Sequence, residues 1–230
     1  MFRSKLLPGA LLLPLCLTAV RAAHAQPNLL TNGSFELPSL TALDTCDGGT
    51  PWCLKGTGNA PGWSVAGNGV TVIHNNYLNG VNPPVLVQAS HGVQYLDLNQ
   101  AGGANGSIYQ FIQGTVGQRY RLSMDFSAWA VNAVGASVEY SLSDPRSGFL
   151  LETGSFTASV GGVWTTRTLE MTAISDLIGV SIRSTFAPQA AIAVDNVRLS
   201  AVTTVPEPQT VGMMLVGLVA MVVVRRRRER

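Results

Sequence analysis

The sequence predicts an all-β domain of the jelly-roll or β-sandwich class, and three observations support that prediction. Short segments alternate between apolar and polar residues, as antiparallel strands with one buried face do. Clusters of Gly, Asn, Pro and Asp separate these segments, and the 230-residue chain contains 24 Gly. Between residues 26 and 205, no stretch of convincing length shows the 3.6-residue period of an amphipathic helix.

The clearest predicted strand lies in the middle of the chain, where Tyr120, Leu122, Met124 and Phe126 alternate with polar residues. Gly-rich turns, including a predicted hairpin turn at 101–106, join eight or nine such segments. Strands of this number and length are typical of a sandwich or jelly roll. The best-defined predicted strands are 70–73, 93–98, 107–112, 120–126, 138–142, 164–172, 178–182 and 192–199.

The first 25 residues predict a secretory signal peptide. Arg3 and Lys5 form a basic start, residues 6–20 are mostly apolar, and the Ala-His-Ala sequence that ends at Ala25 has the form of a cleavage site. The alternative is an uncleaved anchor helix, for which the apolar stretch is short. Cleavage would leave Gln26 as the first residue of an exported chain.

The C-terminal segment combines three features in order. Pro206, Glu207 and Pro208 precede an apolar run at 211–224, and an Arg block at 225–228 follows it. The run is short for a bilayer, which a helix crosses with about 20 residues. Because Arg-rich flanks stay in the cytoplasm, the preceding chain would lie outside the inner membrane. The predicted division is a signal peptide at 1–25, a jelly-roll domain at 26–203, and a sorting segment with a hydrophobic helix at 204–230.

The net charge of +2 is distributed unevenly along the chain. Residues 1–25 and 206–230 each carry +3, whereas residues 26–205 carry −4. A surface that binds nucleic acid needs clustered Lys and Arg, and in the middle of the chain only Arg119 and Arg121 lie close together. We therefore expect no nucleic-acid partner.

The ordered triple of Pro-Glu-Pro, apolar run and Arg block resembles the PEP-CTERM sorting signal. That resemblance implies recognition by the membrane protease exosortase, after a transient anchored stage at the inner membrane of a Gram-negative bacterium. The processed protein would then reach the cell surface or the extracellular matrix. An ordinary C-terminal anchor is the alternative, and it implies the same topology without release.

Six segments of the predicted domain carry a second resemblance. They are NLLTNGSFE at 28–36, PGW at 61–63, HGVQYLDL at 91–98, SIYQ at 107–110, GQRYRLS at 117–123 and VDNV at 194–197. In this order they resemble galactose-binding-like jelly rolls, including carbohydrate-binding modules, and the choice-of-anchor C family of bacterial surface proteins. The resemblance implies a noncatalytic surface or matrix protein that associates with exopolysaccharide.

The sequence is also compatible with two other functions. The domain could be an adhesive or structural module that binds protein partners without glycan affinity, or a secreted glycan-active hydrolase. The sequence contains neither a Gly-x-Ser-x-Gly nor a His-Glu-x-x-His motif. We therefore expect no catalytic residues.

Cys46 and Cys53 are the two cysteines that remain once Cys16 leaves with the signal peptide. The segment between them is rich in turn-forming residues, and cysteine pairs of exported proteins are usually oxidised. A zinc site would need further ligands, which the neighbouring sequence lacks. We expect a disulfide between these two residues.

Glu36 and Asp195 are candidate ligands of a structural Ca²⁺. In related carbohydrate-binding jelly rolls, an acidic residue of the first strand and one of the last share a calcium ion, and the resemblance implies this pair here. Ca²⁺ prefers oxygen ligands, and two carboxylates with backbone carbonyls would suffice. The alternative is that both carboxylates accept hydrogen bonds from the backbone or lie at strand ends.

Trp52 is the candidate ligand-contacting residue, because it lies in the short loop between the two cysteines, where complete burial is difficult. Closure of that loop by a disulfide would preorganise the ring. The alternative is that Trp52 covers one end of the hydrophobic core.

Overall fold

The computed structural model describes most of the predicted domain. The described residues are 26–46, 49–58, 60–67, 69–77, 87–100, 104–128, 135–159, 161–186 and 192–202, with single helical residues at 217, 221, 225 and 226. The predicted signal peptide and the residues Pro206, Glu207 and Pro208 lie outside this set. Within the described residues, no helix is long and apolar enough to cross a bilayer.

The described part of the domain is built from β-strands. They are β1 (Thr45–Cys46), β2 (Thr50–Pro51), β3 (Cys53–Gly56), β4 (Ser64–Gly67), β5 (Val70–His74), β6 (Gln94–Asp97), β7 (Asn99–Gln100), β8 (Ala104–Gln113), β9 (Arg119–Ala128), β10 (Ser137–Asp144), β11 (Phe149–Thr157), β12 (Thr165–Thr172), β13 (Leu177–Phe186) and β14 (Ile192–Ala201).

Two antiparallel sheets contain almost all of these strands. Sheet I has the order β12-β9-β14-β6-β5-β3, and sheet II has the order β11-β10-β13-β8-β4, with β7 paired to the start of β8. Strands β1 and β2 form a separate short pair. The predicted all-β sandwich is confirmed.

The hydrophobic core lies between the two sheets. In β9, the alternation seen in the sequence places Leu122, Met124 and Phe126 in this core, all fully buried. The ring of Phe126 contacts Tyr140 and Phe156 of sheet II at centroid distances of 5.3 and 5.7 Å. Burial of this apolar surface is the main source of stability, at about 25 cal/mol per Å².

Each of the eight best-defined predicted strands overlaps an observed strand. Of the hairpin turn predicted at 101–106, residues 104–106 belong instead to β8, which pairs with β7, and residues 101–103 lie outside the described residues. Strand β11 is the longest that the sequence pattern did not indicate. It lies at the edge of sheet II, where most of its residues are exposed and only Phe156 is buried. An exposed edge strand has no buried face to produce alternation, so its sequence lacks the signal.

The outer faces of the two sheets differ in how much of them is covered. On sheet I, a second buried cluster of Ile73, Val87, Tyr95 and Ala193 forms where residues 87–91 fold over the strands. Among the described residues, none folds over the outer face of sheet II along β10, β11 and β13, and a depression lies there. This face of sheet II therefore offers a surface ligand access to strand residues.

Candidate functional site

The segment 28–40, here called the anchoring segment, is held against β14. The side chain of Asn28 donates from Nδ2 to the Val197 carbonyl at 2.9 Å and accepts at Oδ1 from the Leu199 amide at 2.9 Å. The backbone of Gly33 also accepts from the Val197 amide at 2.8 Å. These bonds satisfy the backbone where a bulge at Asn196 interrupts the ladder.

Three side chains from other parts of the domain, Gln94, Gln110 and Trp63, complete the attachment of the anchoring segment. Gln94 is buried and bonds the anchoring segment three times, from Nε2 to the Phe35 and Pro38 carbonyls and at Oε1 from the Leu40 amide. Gln110 bonds both the amide and the carbonyl of Thr31, and Trp63 donates to the Asn32 carbonyl. Asn28, Trp63, Gln94 and Gln110 lie in four of the six segments that carry the family resemblance, so these segments have a structural role here.

The carboxylates of Glu36 and Asp195 both bind the loop that precedes β6. Glu36 Oε1 accepts from the amides of Val93 and Gln94 at 3.0 Å each, and Asp195 Oδ2 accepts from the His91 amide at 2.8 Å. Within the described residues, no group of three or more acidic, His or Cys side chains could hold a metal ion. In this arrangement the two carboxylates act as acceptors for backbone amides, and calcium binding stays a prediction.

Asp195 also faces a second buried carboxylate. Asp125 of β9 is directly in register with it, and Ser90 Oγ lies 2.9 Å from Asp125 Oδ2 and 3.2 Å from Asp195 Oδ2. Asp195 is 0% exposed, and burial raises its pKa to about 7 although hydrogen bonds from His91, Asn196 and Ser90 oppose the rise. This carboxyl is therefore a group that titrates near neutral pH inside the fold.

The disulfide between Cys46 and Cys53 is present and connects the short β1–β2 pair to sheet I through β3. Trp52 lies between them in a left-handed conformation, with φ of 67°. Its half-buried ring stacks on His74 at a centroid distance of 4.6 Å, so one face is occupied. A ligand contact by Trp52 would have to use the remaining exposed part and stays a prediction.

The depression on sheet II, here called the serine groove, has a volume of about 740 Å³. Its floor is formed by short side chains, because Ser141 of β10 is in register with Ser181 of β13 and Thr153 of β11. Among the described residues, the hydroxyls of Ser141 and Ser181 have no partner within the protein. The hydroxyls that line the groove belong to Ser141, Ser143, Thr153, Ser155 and Ser181.

Apolar side chains stand on both sides of this polar floor. Leu150 lines the groove on β11 and is exposed. On the other side, Tyr109 and Phe111 of β8 are in register with Ser181 and Gly179 of β13, and their rings lie 5.7 Å apart. Phe111 is 57% exposed. A ring and a row of hydroxyls on one open surface are suited to a ligand with both apolar and polar faces.

One end of the groove carries an ion pair. Arg183 of β13 donates from Nε to Glu139 Oε2 on β10 at 2.9 Å, and its Nη2 bonds the same oxygen. A smaller depression adjoins the groove here and shares both residues. Both side chains are largely exposed, at 63% and 49%, so the pair is accessible to a ligand in the groove.

The serine groove was not predicted from the sequence. Its residues come from the consecutive strands β10 and β11 and from β13, which is more distant in sequence. Alternating Ser residues on a strand are the ordinary composition of a solvated face. The alternation at 138–142 did show that the Ser and Glu residues of β10 share one face. The missing information was the register of β10 with β13 and β11, which places five hydroxyls together.

Comparison with known proteins identifies the tail and the fold. Residues 204–228 match the PEP-CTERM protein-sorting motif. The chain is similar to TmCBM61, solved in complex with β-1,4-galactotriose, with a TM-score of 0.54 and 16% identity over 76% of this chain and 99% of that chain. It also aligns with the CBM22-1 xylan-binding domain of Paenibacillus barcinonensis Xyn10C, with a TM-score of 0.47 and 16% identity over 80% and 99% of the chains.

No curated protein matches the sequence. At 16% identity, the similarity to solved structures establishes the fold alone. The chain thus carries a PEP-CTERM protein-sorting motif behind a β-sandwich similar in fold to a carbohydrate-binding module.

Proposed function

We propose that this protein is an exported, noncatalytic surface or matrix protein that binds extracellular polysaccharide through the serine groove. Exosortase would recognise the motif at 206–208 and process the tail. The observation that carries the binding proposal is the floor of hydroxyls that Leu150 borders on β11, with the exposed ring of Phe111 on β8 in register with β13. The similarity in fold to a module solved with a galactotriose supports a glycan as the ligand.

The groove matches the surface chemistry of a sugar polymer. Sugar rings present C–H groups on their faces and hydroxyls around their edges, so they pack on aromatic or aliphatic side chains and hydrogen-bond at the rim. Phe111 and Leu150 offer apolar contacts, while Ser141 and Ser181 offer donors and acceptors. Because the groove is open, a chain longer than the site can lie along it.

The carboxylates do not favour hydrolysis. Glycosidases use two carboxyl groups about 5–10 Å apart on either side of the scissile bond. Among the described residues that line the groove, Glu139 is the single carboxylate. Asp125 and Asp195 do form a pair, but both are buried beneath Ser90 and His91. Release of sugar during incubation with polysaccharide would contradict a noncatalytic role.

The binding test uses the full chain in a zwitterionic detergent, since sugar-based detergents would compete. The probes are soluble β-1,4-galactan, β-1,4-glucan and α-1,4-glucan, titrated by calorimetry. Saturable binding of at least one is expected, and binding of none would overturn the proposal. Phe111→Ala should weaken that binding about tenfold through the lost ring contact. The matched control is Phe149→Ala, a similarly exposed ring of the same sheet that neither lines the groove nor is in register with β13, and it should change the affinity less than twofold.

The same titration tests Trp52. If this ring contacts the ligand in addition to the groove, Trp52→Ala should weaken binding while the melting temperature stays close to that of the wild type. If Trp52 only covers His74 and one end of the hydrophobic core, the melting temperature of the variant should fall, and the affinity of the folded protein for glycan should be unchanged.

Processing is tested on the protein recovered from the cell surface or medium. Exosortase-type cleavage predicts an intact mass that lacks residues 211–230. A mass that still includes Arg230 would contradict removal of the tail.

Calcium at Glu36 and Asp195 remains part of the proposal as a structural ion. Its removal with EDTA should lower the melting temperature by several degrees, and added Ca²⁺ should restore it, because an ion that binds only the folded state stabilises it. A melt that EDTA leaves unchanged would remove the ion from the proposal.

A further inference from the structure

We propose that the serine groove selects uncharged glycans and that Glu139 sets this preference by neutralising Arg183. This inference rests on the proposed function, because it assumes that a glycan occupies the groove. It adds a ligand class and a specificity-determining residue to that site.

The geometry of the ion pair leaves one donor nitrogen of Arg183 and one acceptor oxygen of Glu139 available to a ligand. Arg183 and Glu139 are directly opposite one another on neighbouring strands, and Arg183 bonds Glu139 Oε2 through both Nε and Nη2. Within the described residues, Nη1 of the arginine and Oε1 of the carboxylate have no protein partner. The end of the groove therefore presents a free donor beside a free acceptor.

Uncharged sugars match this arrangement. A hydroxyl both donates and accepts, so one of two neighbouring hydroxyls can accept from Arg183 while the other donates to Glu139. A uronate carboxylate accepts from Arg183 but has no proton for Glu139. A carboxylate that binds at this end of the groove would therefore satisfy Arg183 and be repelled by Glu139, even though the other hydroxyls of the sugar remain.

No further positive charge offsets this repulsion nearby. Among the described residues that line the groove and the adjoining depression, Arg183 and Glu139 are the only charged side chains. Arg146, elsewhere in the same domain, is itself paired with Asp176. The charge of the groove is thus close to zero, and Arg183 has no excess attraction for a carboxylate.

The repulsion is large enough to measure. Two like charges about 5 Å apart at a protein surface interact strongly enough to change an affinity by about tenfold at low salt. Replacement of Glu139 by Gln removes the negative charge and keeps the size of the side chain. Arg183 would then attract a carboxylate without opposition.

The experiment compares each bound polymer with its own charged form. The probes are galactan, β-glucan and α-glucan as in the binding test, each before and after oxidation of the C6 hydroxyls to carboxylates. The readout is the ratio of the affinity for the oxidised polymer to that for the native polymer, measured at low salt. The wild type should have a ratio well below one.

Glu139→Gln should raise this ratio at least tenfold, and added salt should reduce the gain. The matched control is Glu170→Gln, which removes the same charge from β12 in sheet I, where Glu170 pairs with Arg119 and Arg121. This control should leave the ratio at the wild-type value. In the double variant with Arg183→Gln, the gain from Glu139→Gln should disappear.

The outcomes separate the two proposals. If the wild type binds none of the native polymers, the proposed function fails. If it binds a native polymer but binds the oxidised form equally or better, glycan binding stands and the selectivity inference is wrong. The inference is also overturned if Glu170→Gln raises the ratio as much as Glu139→Gln, since net charge alone would then explain the change.

Discussion

The anchoring segment and the serine groove differ in how their residues are used. In the anchoring segment, side chains such as Asn28 bond the backbone of strands that are remote in sequence. In the groove, hydroxyls such as those of Ser141 and Ser181 are left without protein partners among the described residues. Four of the six segments that carry the family resemblance supply side chains that attach the anchoring segment, so in this protein they indicate how the sandwich is held together. The surface proposed for a ligand lies in the second region.

This difference can be tested by substitution. Changes in the anchoring segment should lower the free energy of unfolding and leave the affinity of the folded protein for glycan unchanged. Changes in the groove should alter the affinity for glycan and leave the free energy of unfolding nearly unchanged.

The largest effect is expected for Gly33→Ala. A Cβ at this position would lie 2.0 Å from the Val197 carbonyl oxygen and 2.9 Å from Asn28 Nδ2, so the anchoring segment would have to move away from β14. We expect a loss of about 3 kcal/mol or more in urea unfolding followed by Trp fluorescence. At Gly58, no atom of the described residues apart from its chain neighbours lies within 4 Å of the corresponding position, and Gly58→Ala should be nearly neutral. Equal effects of the two substitutions would contradict the close contact.

Gln94→Ala should have the next largest effect. It removes three hydrogen bonds and leaves the Phe35 and Pro38 carbonyls and the Leu40 amide without this partner in a buried place. The cost should be about 2–3 kcal/mol. Gln113→Ala on the exposed end of β8 is the control and should cost little. If Gln94→Ala instead weakened glycan binding at unchanged stability, the division between the two regions would be wrong.

The pH dependence of stability tests the buried carboxyl of Asp195. Its pKa of about 7 in the folded protein lies above its ordinary value of 3.8, so the folded state holds a proton that the unfolded state has lost. Stability from this group is complete below about pH 4 and is lost as the pH rises towards 7, by about 1.4 kcal/mol per pH unit at most.

His74 acts in the opposite direction, because burial lowers its pKa. The observable is therefore the difference between the wild type and Asp195→Asn in metal-free buffer, measured by urea unfolding at several pH values. The variant should lack the decline between pH 5 and 7. Parallel curves for the two proteins would show that Asp195 does not titrate in this range.

The smallest stability effect is expected in the groove. Arg183→Gln breaks an ion pair whose side chains are largely exposed, and exposed pairs contribute between about 0 and 1 kcal/mol. The variant should unfold within about 0.5 kcal/mol of the wild type while its glycan affinity changes measurably. A large loss of stability with unchanged binding would reverse the assignment of the two regions.

Most of the fold could be predicted from the sequence, and the reason is physical. Strands such as β9 have one buried and one exposed face, so their apolar residues must alternate. Strand β11 could not be predicted in this way, because an edge strand exposes both faces for much of its length. The Cys46–Cys53 disulfide followed from composition and compartment, and it is present.

The candidate site could be predicted much less well. Glu36 and Asp195 do approach the same loop, as their positions in the related segments implied, but their partners are the amides of His91, Val93 and Gln94. The partial burial of Trp52 agrees with its place in the cysteine loop, whereas its stacking on His74 depends on how β3 pairs with β5. Such contacts cannot be derived from residue types alone.

The sequence by itself determined the class of fold, the oxidised cysteine pair and the sorting segment, because alternation, turn residues and an ordered terminal motif are local properties. Only the tertiary structure decided which surface is open and what lies on it. The register of β10 with β11 and β13 brings the hydroxyls of Ser141, Thr153 and Ser181 together beside the Arg183–Glu139 pair. Register is set by packing of the opposite, buried face, so a shift by one residue would bury these groups and abolish the groove.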